Sequence, residues 1–211
     1  MQKIVVATRN KHKVTELKEL FSKFCKFDLI TLDEAGFTDE IIENGNTFEE
    51  NALIKARTAA AALGLCAIAD DSGLAVDALG GEPGIFSARY ASSNGKNSQD
   101  DENIDKVLSN LKEIPEHEKT ARFVCAMAYV EPNGKEICKI GTCEGIISSE
   151  RRGNNGFGYD PVFFYPPLGK TFGELSEEEK NALSHRAKAI EKLAEELKEL
   201  QQNKNKKTEV S

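Results

Sequence analysis

The chain has 211 residues, 28 Lys and Arg against 35 Asp and Glu, and a formal net charge of −7. That length suits one large domain or two closely joined lobes with a sizeable core. The acidic balance, without a basic stripe, argues against a duplex nucleic-acid partner, and no apolar run approaches the length of a membrane span. The five cysteines form no C-x-x-C pair, and the N-terminus enters a strand directly without a signal-peptide layout, so a reduced, cytoplasmic setting is expected.

In chain order, Lys3 to Ala7 reads as a buried strand and Thr8 to Lys13 as a polar turn. A helix follows, with Val14, Leu17, Leu20, Phe21 and Phe24 at helical spacing. Such a strand-to-helix junction offers free N–H groups and a positive dipole end to an anion, although Asn10 equally suits a helix cap. A strand is expected near Phe27 to Leu32. Thr47-Phe48-Glu49-Glu50 reads as a capping box opening a helix from Phe48 to Leu63, with Gly64 as its stop. Glu50 therefore has a structural duty, and Lys55 and Glu43, taken alone, read as surface residues.

The most informative segment runs from Leu65 to Tyr90. An apolar run, Leu65 to Ala69, predicts a buried strand ending at Asp70 and Asp71. Alternation along an extended chain turns those two carboxylates in different directions, so one can face a cleft while the other braces the turn. A carboxylate past the end of such a strand is where open α/β sheets place their chemistry, and Mg²⁺ bridges that kind of ligand to phosphates. Asp-Ser-Gly is also ordinary turn chemistry. The glycine-rich loop Gly80-Gly81-Glu82-Pro83-Gly84, followed by Ser87-Ala88-Arg89-Tyr90, is what raises the segment above a generic connector.

Beyond it, Gln99 to Leu111 is amphipathic and helical, and Thr120 to Val130 and Lys135 to Ser148 form a hairpin about Pro132-Asn133-Gly134. Arg151 to Asp160 is a loop whose Phe157 or Tyr159 can stack on a planar base, and Pro161 to Tyr165 is a short strand. Ser176 to Leu200 is largely helical. On one straight helix Lys180 and Arg186 would point to nearly opposite sides, so their joint use requires a break, for which Ser184 is the natural cap. Gly169-Lys170-Thr171 resembles the end of a phosphate-binding P-loop, but Phe164 stands where that motif needs glycine. Residues 203–211 read as a polar, flexible tail. The mix of strands and helices with one hairpin predicts an α/β fold, a mixed sheet covered by helices.

Five ordered segments, T-R-N-K-H-K, T-F-E-E-N-A-L-I-K-A, A-D-D-S-G-L-A-V-D-A-L-G-G-E-P-G-I-F-S-A-R-Y, G-F-G-Y-D-P-V-F-F and S-H-R-A-K-A, together resemble the noncanonical purine nucleoside triphosphate pyrophosphatases, the ITP/XTP pyrophosphatase family, from Lys3 to about Leu200. The resemblance implies an elongated two-lobed α/β protein over residues 1–202 with a central cleft, acting as a homodimer with Mg²⁺. The implied reaction is NTP + H₂O → NMP + PPi on ITP, dITP and XTP, keeping these nucleotides out of DNA and RNA. It further implies that Thr8, Arg9, Asn10, Lys11, His12 and Lys13 bind the triphosphate, with Arg9 standing where the family usually has a small residue. Asp71 would accept the proton and contact Mg²⁺ beside Glu43, and Lys55 would support the phosphates. Ser72, Phe157, Gly158, Tyr159, Asp160, Lys180, His185 and Arg186 would bind the nucleoside. Rival readings are a phosphomonoesterase using Asp71 as nucleophile, a nucleotide-binding sensor, and a house-cleaning pyrophosphatase with another base preference.

Overall fold

The computed structural model describes residues 2–24, 27–93 and 95–208, without the side chains of 201 and 203–208. Seven strands form one mixed sheet: β1 (Lys3–Val6), β2 (Asp28–Thr31), β3 (Cys66–Val76), β4 (Thr120–Val130), β5 (Glu136–Ile147), β6 (Phe163–Tyr165) and β7 (Lys170–Thr171), in the order β2-β1-β3-β4-β5-β6-β7. β1 pairs in parallel with both β2 and β3, whereas β6 is antiparallel to β5 and to β7. The helices are α1 (Lys11–Phe24), α2 (Phe48–Leu63), α3 (Asp100–Asn110), α4 (Glu177–Leu183) and α5 (His185–Thr208).

The chain divides into two compact units, each with its own core. The described residues of Met1–Asp71, Ala126–Gly141 and Ala187–Ser211 make the first, and Ser72–Cys125 with Thr142–Arg186 make the second. In the first, α2 presents a stripe of small side chains, Ala52, Ala56, Ala59 and Ala60, that packs with Val5, Ala7, Ala67, Ala69, Ala126, Ala128 and Val130. The spacing is helical and the stripe carries no bulk, so the helix backbone can lie close to its neighbours. In the second, Ile104 and Val107 of α3 and Leu111 just past its end join Leu74, Val76, Phe123, Phe163 and Phe172. Phe163 and Phe172 meet edge to face with centroids 4.9 Å apart, a favoured aromatic arrangement.

Most expected elements form where the pattern puts them. α2 begins after Thr47, whose Oγ1 accepts from the Glu50 amide at 3.1 Å, and ends at Gly64 with φ 63°. The reciprocal half of the capping box is absent, because Glu50 Oε2 accepts from the Asn46 amide at 2.6 Å. The break anticipated at Ser184 is present: the residue is extended (φ −67°, ψ 158°) between α4 and α5. Two further expectations need correction. β3 does not stop at Asp70: it continues through both acids and Ser72 to Val76, because Leu74 and Val76 on its far side are core residues. The polar tail expected from residue 203 is helical through Thr208, and residues 209–211 lie outside the described residues. Cys25 also lies outside them; Cys125 and Cys143 are buried, and Cys66 and Cys138 half-buried.

Candidate active site

In the first unit the candidate residues stand where the parallel pairing of β1 with β3 ends. β1 and β3 run in register from Ile4↔Cys66 to Val6↔Ile68, and the Ala7 amide donates to Ile68 O at 2.7 Å. Just beyond those pairs stand Thr8, past the end of β1, and Asp70 and Asp71, within β3. Asn10 caps α1: its Oδ1 accepts from the Lys13 amide at 3.2 Å, and Thr8 Oγ1 accepts from the Asn10 amide at 3.3 Å. The cap and the anion-binding reading are compatible, since capping by Asn10 places Lys11, His12 and Lys13 in the first helical turn. Lys11 and His12 are exposed.

The adjacent acids diverge as strand alternation requires. Asp70 is fully buried and its Oδ2 lies 3.1 Å from Lys13 Nζ. Asp71 turns to α2. Its Oδ1 accepts from Lys55 Nζ at 2.9 Å, and its Oδ2 from Asn51 Nδ2 at 3.3 Å. The same Lys55 ammonium donates to Glu43 Oε2 at 2.7 Å. Lys55 is only 6% exposed, so it is no surface lysine. Burial pulls its pKa down, but Asp71, Glu43 and Asp70 more than offset this and the net shift is upward. Burial pushes the Asp71 carboxyl above its usual range, against the opposing pull of Lys55 and Lys13.

Two further residues bear on the arrangement. Arg9, expected on the phosphates, donates to the carbonyls of Phe37 and Asp39, both at 3.1 Å. It thereby tethers the segment leading to Glu43. Asn51 was not singled out by the sequence at all. The available signal was its place between Glu50 and Lys55 on α2, four residues before Lys55 and so on the same face.

In the second unit, Ser72, Phe157, Asp160, Lys180 and Arg186 come together. Arg186 is 1% exposed and donates from Nη2 to Ser72 Oγ at 2.9 Å. Lys180 Nζ meets Asp160 Oδ2 at 2.7 Å and lies 4.7 Å from the Phe157 ring centroid; Arg186 Cζ lies 5.7 Å from the same centroid. Asp160 Oδ2 also accepts from the Phe157 amide at 2.9 Å. Gly156, at φ 77°, makes this turn possible: a Cβ there would come within 2.0 Å of Asp160 Oδ2. Gly158 donates its amide to Asp100 at the start of α3, 2.7 Å away. Of the two candidate stacking rings, Tyr159 is a core residue, 5% exposed with its hydroxyl donating to Ser87 O at 2.8 Å. The helix break at Ser184 sets His185 against Phe123, with ring centroids 4.8 Å apart and planes 17° from parallel.

A profile of the Ham1 family matches residues 4–196, nearly the whole chain. The chain belongs to the Ham1 family. It is 49% identical over 201 residues to a dITP/XTP pyrophosphatase of Bacillus cereus, covering 94% of this chain and 96% of that protein. It is 48% identical over 194 residues to the Bacillus subtilis dITP/XTP pyrophosphatase, covering 92% and 96% respectively. Among solved structures, a Ham1 protein from Coxiella burnetii superposes with a TM-score of 0.84 at 44% identity, covering 94% of this chain and all of that one. The Staphylococcus aureus Ham1 protein gives 0.82 at 42% identity, covering 93% and 98%. The mixed sheet with flanking helices is thus the Ham1 fold.

Proposed function

We propose that this Ham1 protein hydrolyses noncanonical purine triphosphates, dITP, ITP and XTP, to the monophosphate and pyrophosphate, with Mg²⁺, removing them before they enter DNA or RNA. The observation that carries the reading is Lys55, buried and held at once by Glu43 and Asp71. It supports a centre where acids that suit a cation and a cation that suits phosphate share one point. The names of the relatives at 48–49% identity support the same substrate class.

The donor set suits Mg²⁺, which is bound through one or two carboxylates plus substrate phosphates rather than by an all-protein cage. Glu43 and Asp71 converge on one ammonium, and among the described residues no group of three or more His, Cys, Asp or Glu side chains forms such a cage. Held by Glu43 and Asp71, the ion would neutralise phosphate charge. Asp71 takes a proton from water, the resulting hydroxide oxygen bonds to the α-phosphorus, and the α–β bridging bond breaks to release pyrophosphate. Lys55 stays cationic and opposes the charge that builds on the phosphates. Thr8, Asn10, Lys13 and the first N–H groups of α1 receive the triphosphate, joined by Lys11 and His12.

On the nucleoside side, Phe157 offers its ring for stacking, while Ser72, Lys180, His185 and Arg186 offer polar contacts and Asp160 holds the loop. A guanidinium donor favours the 6-oxo group of hypoxanthine and xanthine over the 6-amino group of adenine, which also donates. The family resemblance further supports a homodimer in the cytoplasm. No helix among the described residues is long and apolar enough to cross a membrane.

Product analysis with purified protein and Mg²⁺, using dITP, ITP, XTP, GTP and ATP separately, tests this. Monophosphate plus pyrophosphate, with the first three preferred, is the expected result. Free phosphate would favour a phosphomonoesterase, tight binding without turnover a sensor, and a different order of bases a related pyrophosphatase.

A further inference from the structure

Asn51 is 2% exposed, one of the few uncharged polar side chains buried so deeply. Both ends of its amide are used. Oδ1 accepts from the Gly45 amide at 2.8 Å, and Nδ2 donates to Asp71 Oδ2 at 3.3 Å. The orientation follows from chemistry: a backbone N–H can only donate and an ionised carboxylate can only accept, so the amide has one sensible placement.

Gly45 lies two residues after Glu43 in an irregular segment between Phe37 and α2. It approaches α2 very closely. A Cβ at Gly45 would meet Glu50 Cβ at 2.7 Å, Asn51 Oδ1 at 2.8 Å and the Asn51 amide nitrogen at 3.0 Å. Glycine is thus what lets the segment dock on the side chain of Asn51. The contacts close a ring through the acids: Glu43 to Lys55, Lys55 to Asp71, Asp71 to Asn51, Asn51 to Gly45, and back along the chain to Glu43. Lys55 supplies attraction between the two carboxylates. On a flexible stem, an ammonium is a point charge without directional preference. Asn51 is short and buried, and it binds the backbone beside one acid and the carboxylate of the other.

We infer that Asn51 is a positioning residue that docks the Glu43 segment onto Asp71 and so fixes the spacing of the two carboxylates that receive the divalent cation. This rests on the reading that Glu43 and Asp71 are the cation's ligands. Groups one step behind metal ligands typically govern affinity by about 10–100-fold.

The test is Mn²⁺ binding to the full chain in the presence of inorganic pyrophosphate, followed by the electron paramagnetic resonance of free Mn²⁺. Asn51→Ala removes both contacts, and Gly45→Ala pushes the segment off while leaving Asn51, Glu43, Lys55 and Asp71 in place. Both should weaken Mn²⁺ binding by about 10–100-fold, and excess Mg²⁺ should restore much of the lost kcat with dITP, which a general loss of structure would not allow. Glu43→Gln serves as the control. If Glu43→Gln weakens Mn²⁺ binding and folded Asn51→Ala or Gly45→Ala binds like the parent protein, the role of Asn51 is overturned while the cation site stands. If Glu43→Gln itself binds Mn²⁺ like the parent, the ligand assignment beneath the inference fails. Should Asn51→Ala not fold, Gly45→Ala decides alone.

Discussion

Two adjacent carboxylates have different partners and should fail differently. Asp70 is fully buried against Lys13, so Asp70→Asn leaves an ammonium facing a neutral amide. Lys13 keeps 15% of its side chain exposed and can turn to solvent, so the loss seen in urea denaturation should be about 1–3 kcal/mol. Asp71→Asn should behave in the opposite way. Burial is the largest influence on Asp71, so a neutral isostere relieves a desolvation cost and Lys55 retains Glu43. Stability should change little, whereas kcat for dITP should fall by about 10²–10⁴-fold with loss of the proton acceptor. Equal kcat in Asp71→Asn and the parent would remove Asp71 from the reaction. A third side chain makes a pH prediction. Burial, reinforced by Glu49, pushes the Cys138 thiol up to about 11. Its unfolded counterpart ionises near pH 8.5. Between these values the unfolded chain has lost a proton that the folded chain keeps, so this contribution to stability is present below about pH 8.5 and is lost as pH rises toward 11. Alkylation of Cys138 in the native protein at pH 8 should accordingly be slow, and Cys138→Ala should flatten the alkaline decline in stability.

The helices and strands were largely legible because each carries its own punctuation: Thr47 and Gly64 around α2, Gly134 in the hairpin between β4 and β5, Ser184 between α4 and α5. What remained hidden depends on partners distant in sequence. The two acids look like a strand end because isolated carboxylates cannot be buried. Lys13 and Lys55, 57 and 16 residues away, make it possible for β3 to run on. Tyr159 and Phe157 look equivalent as stacking rings until the carbonyl of Ser87 takes the hydroxyl of one. Asn51 reads as one more polar helical residue until Gly45 and Asp71 are seen at its two ends. α2 is the element on which this site depends most, since Glu50, Asn51 and Lys55 all project from its first two turns toward Asn46, Gly45, Glu43 and Asp71. Thr47→Ala removes the oxygen that caps it and should cost about 1 kcal/mol of stability, seen as a lower Tm. Because the capped turn also carries Asn51, the Mg²⁺ concentration needed for half-maximal rate should rise with it. A lowered Tm with unchanged Mg²⁺ dependence would separate the cap from the site.

An acidic protein with a net charge of −7 must receive a still more acidic substrate. Free cations would do this by long-range attraction, with a steep loss of kcat/KM as salt screens it. Three lysines of the candidate site are arranged otherwise. Lys13 is matched by Asp70 at 3.1 Å, Lys55 by Glu43 and Asp71 at 2.7 and 2.9 Å, and Lys180 by Asp160 at 2.7 Å. At distances beyond a Debye length, roughly 10 Å at 0.1 M salt, each such group is close to neutral, and the Lys55 group carries a surplus negative charge. Their donors act only at contact, on a triphosphate whose charge is already partly cancelled by Mg²⁺. The chain should therefore show a shallow salt dependence: at fixed free Mg²⁺, kcat/KM for dITP should change by no more than a few-fold between low and physiological ionic strength, because little steering is there to be screened. Asp160→Asn, which removes one negative charge beside Lys180, should steepen that dependence even as it loosens the Phe157 loop. Stopped-flow or steady-state rates across an ionic-strength series would decide the matter. A fall of tenfold or more in the parent protein would mean that Lys11 and the other exposed cations of the α1 turn, rather than the paired lysines, govern how the nucleotide arrives.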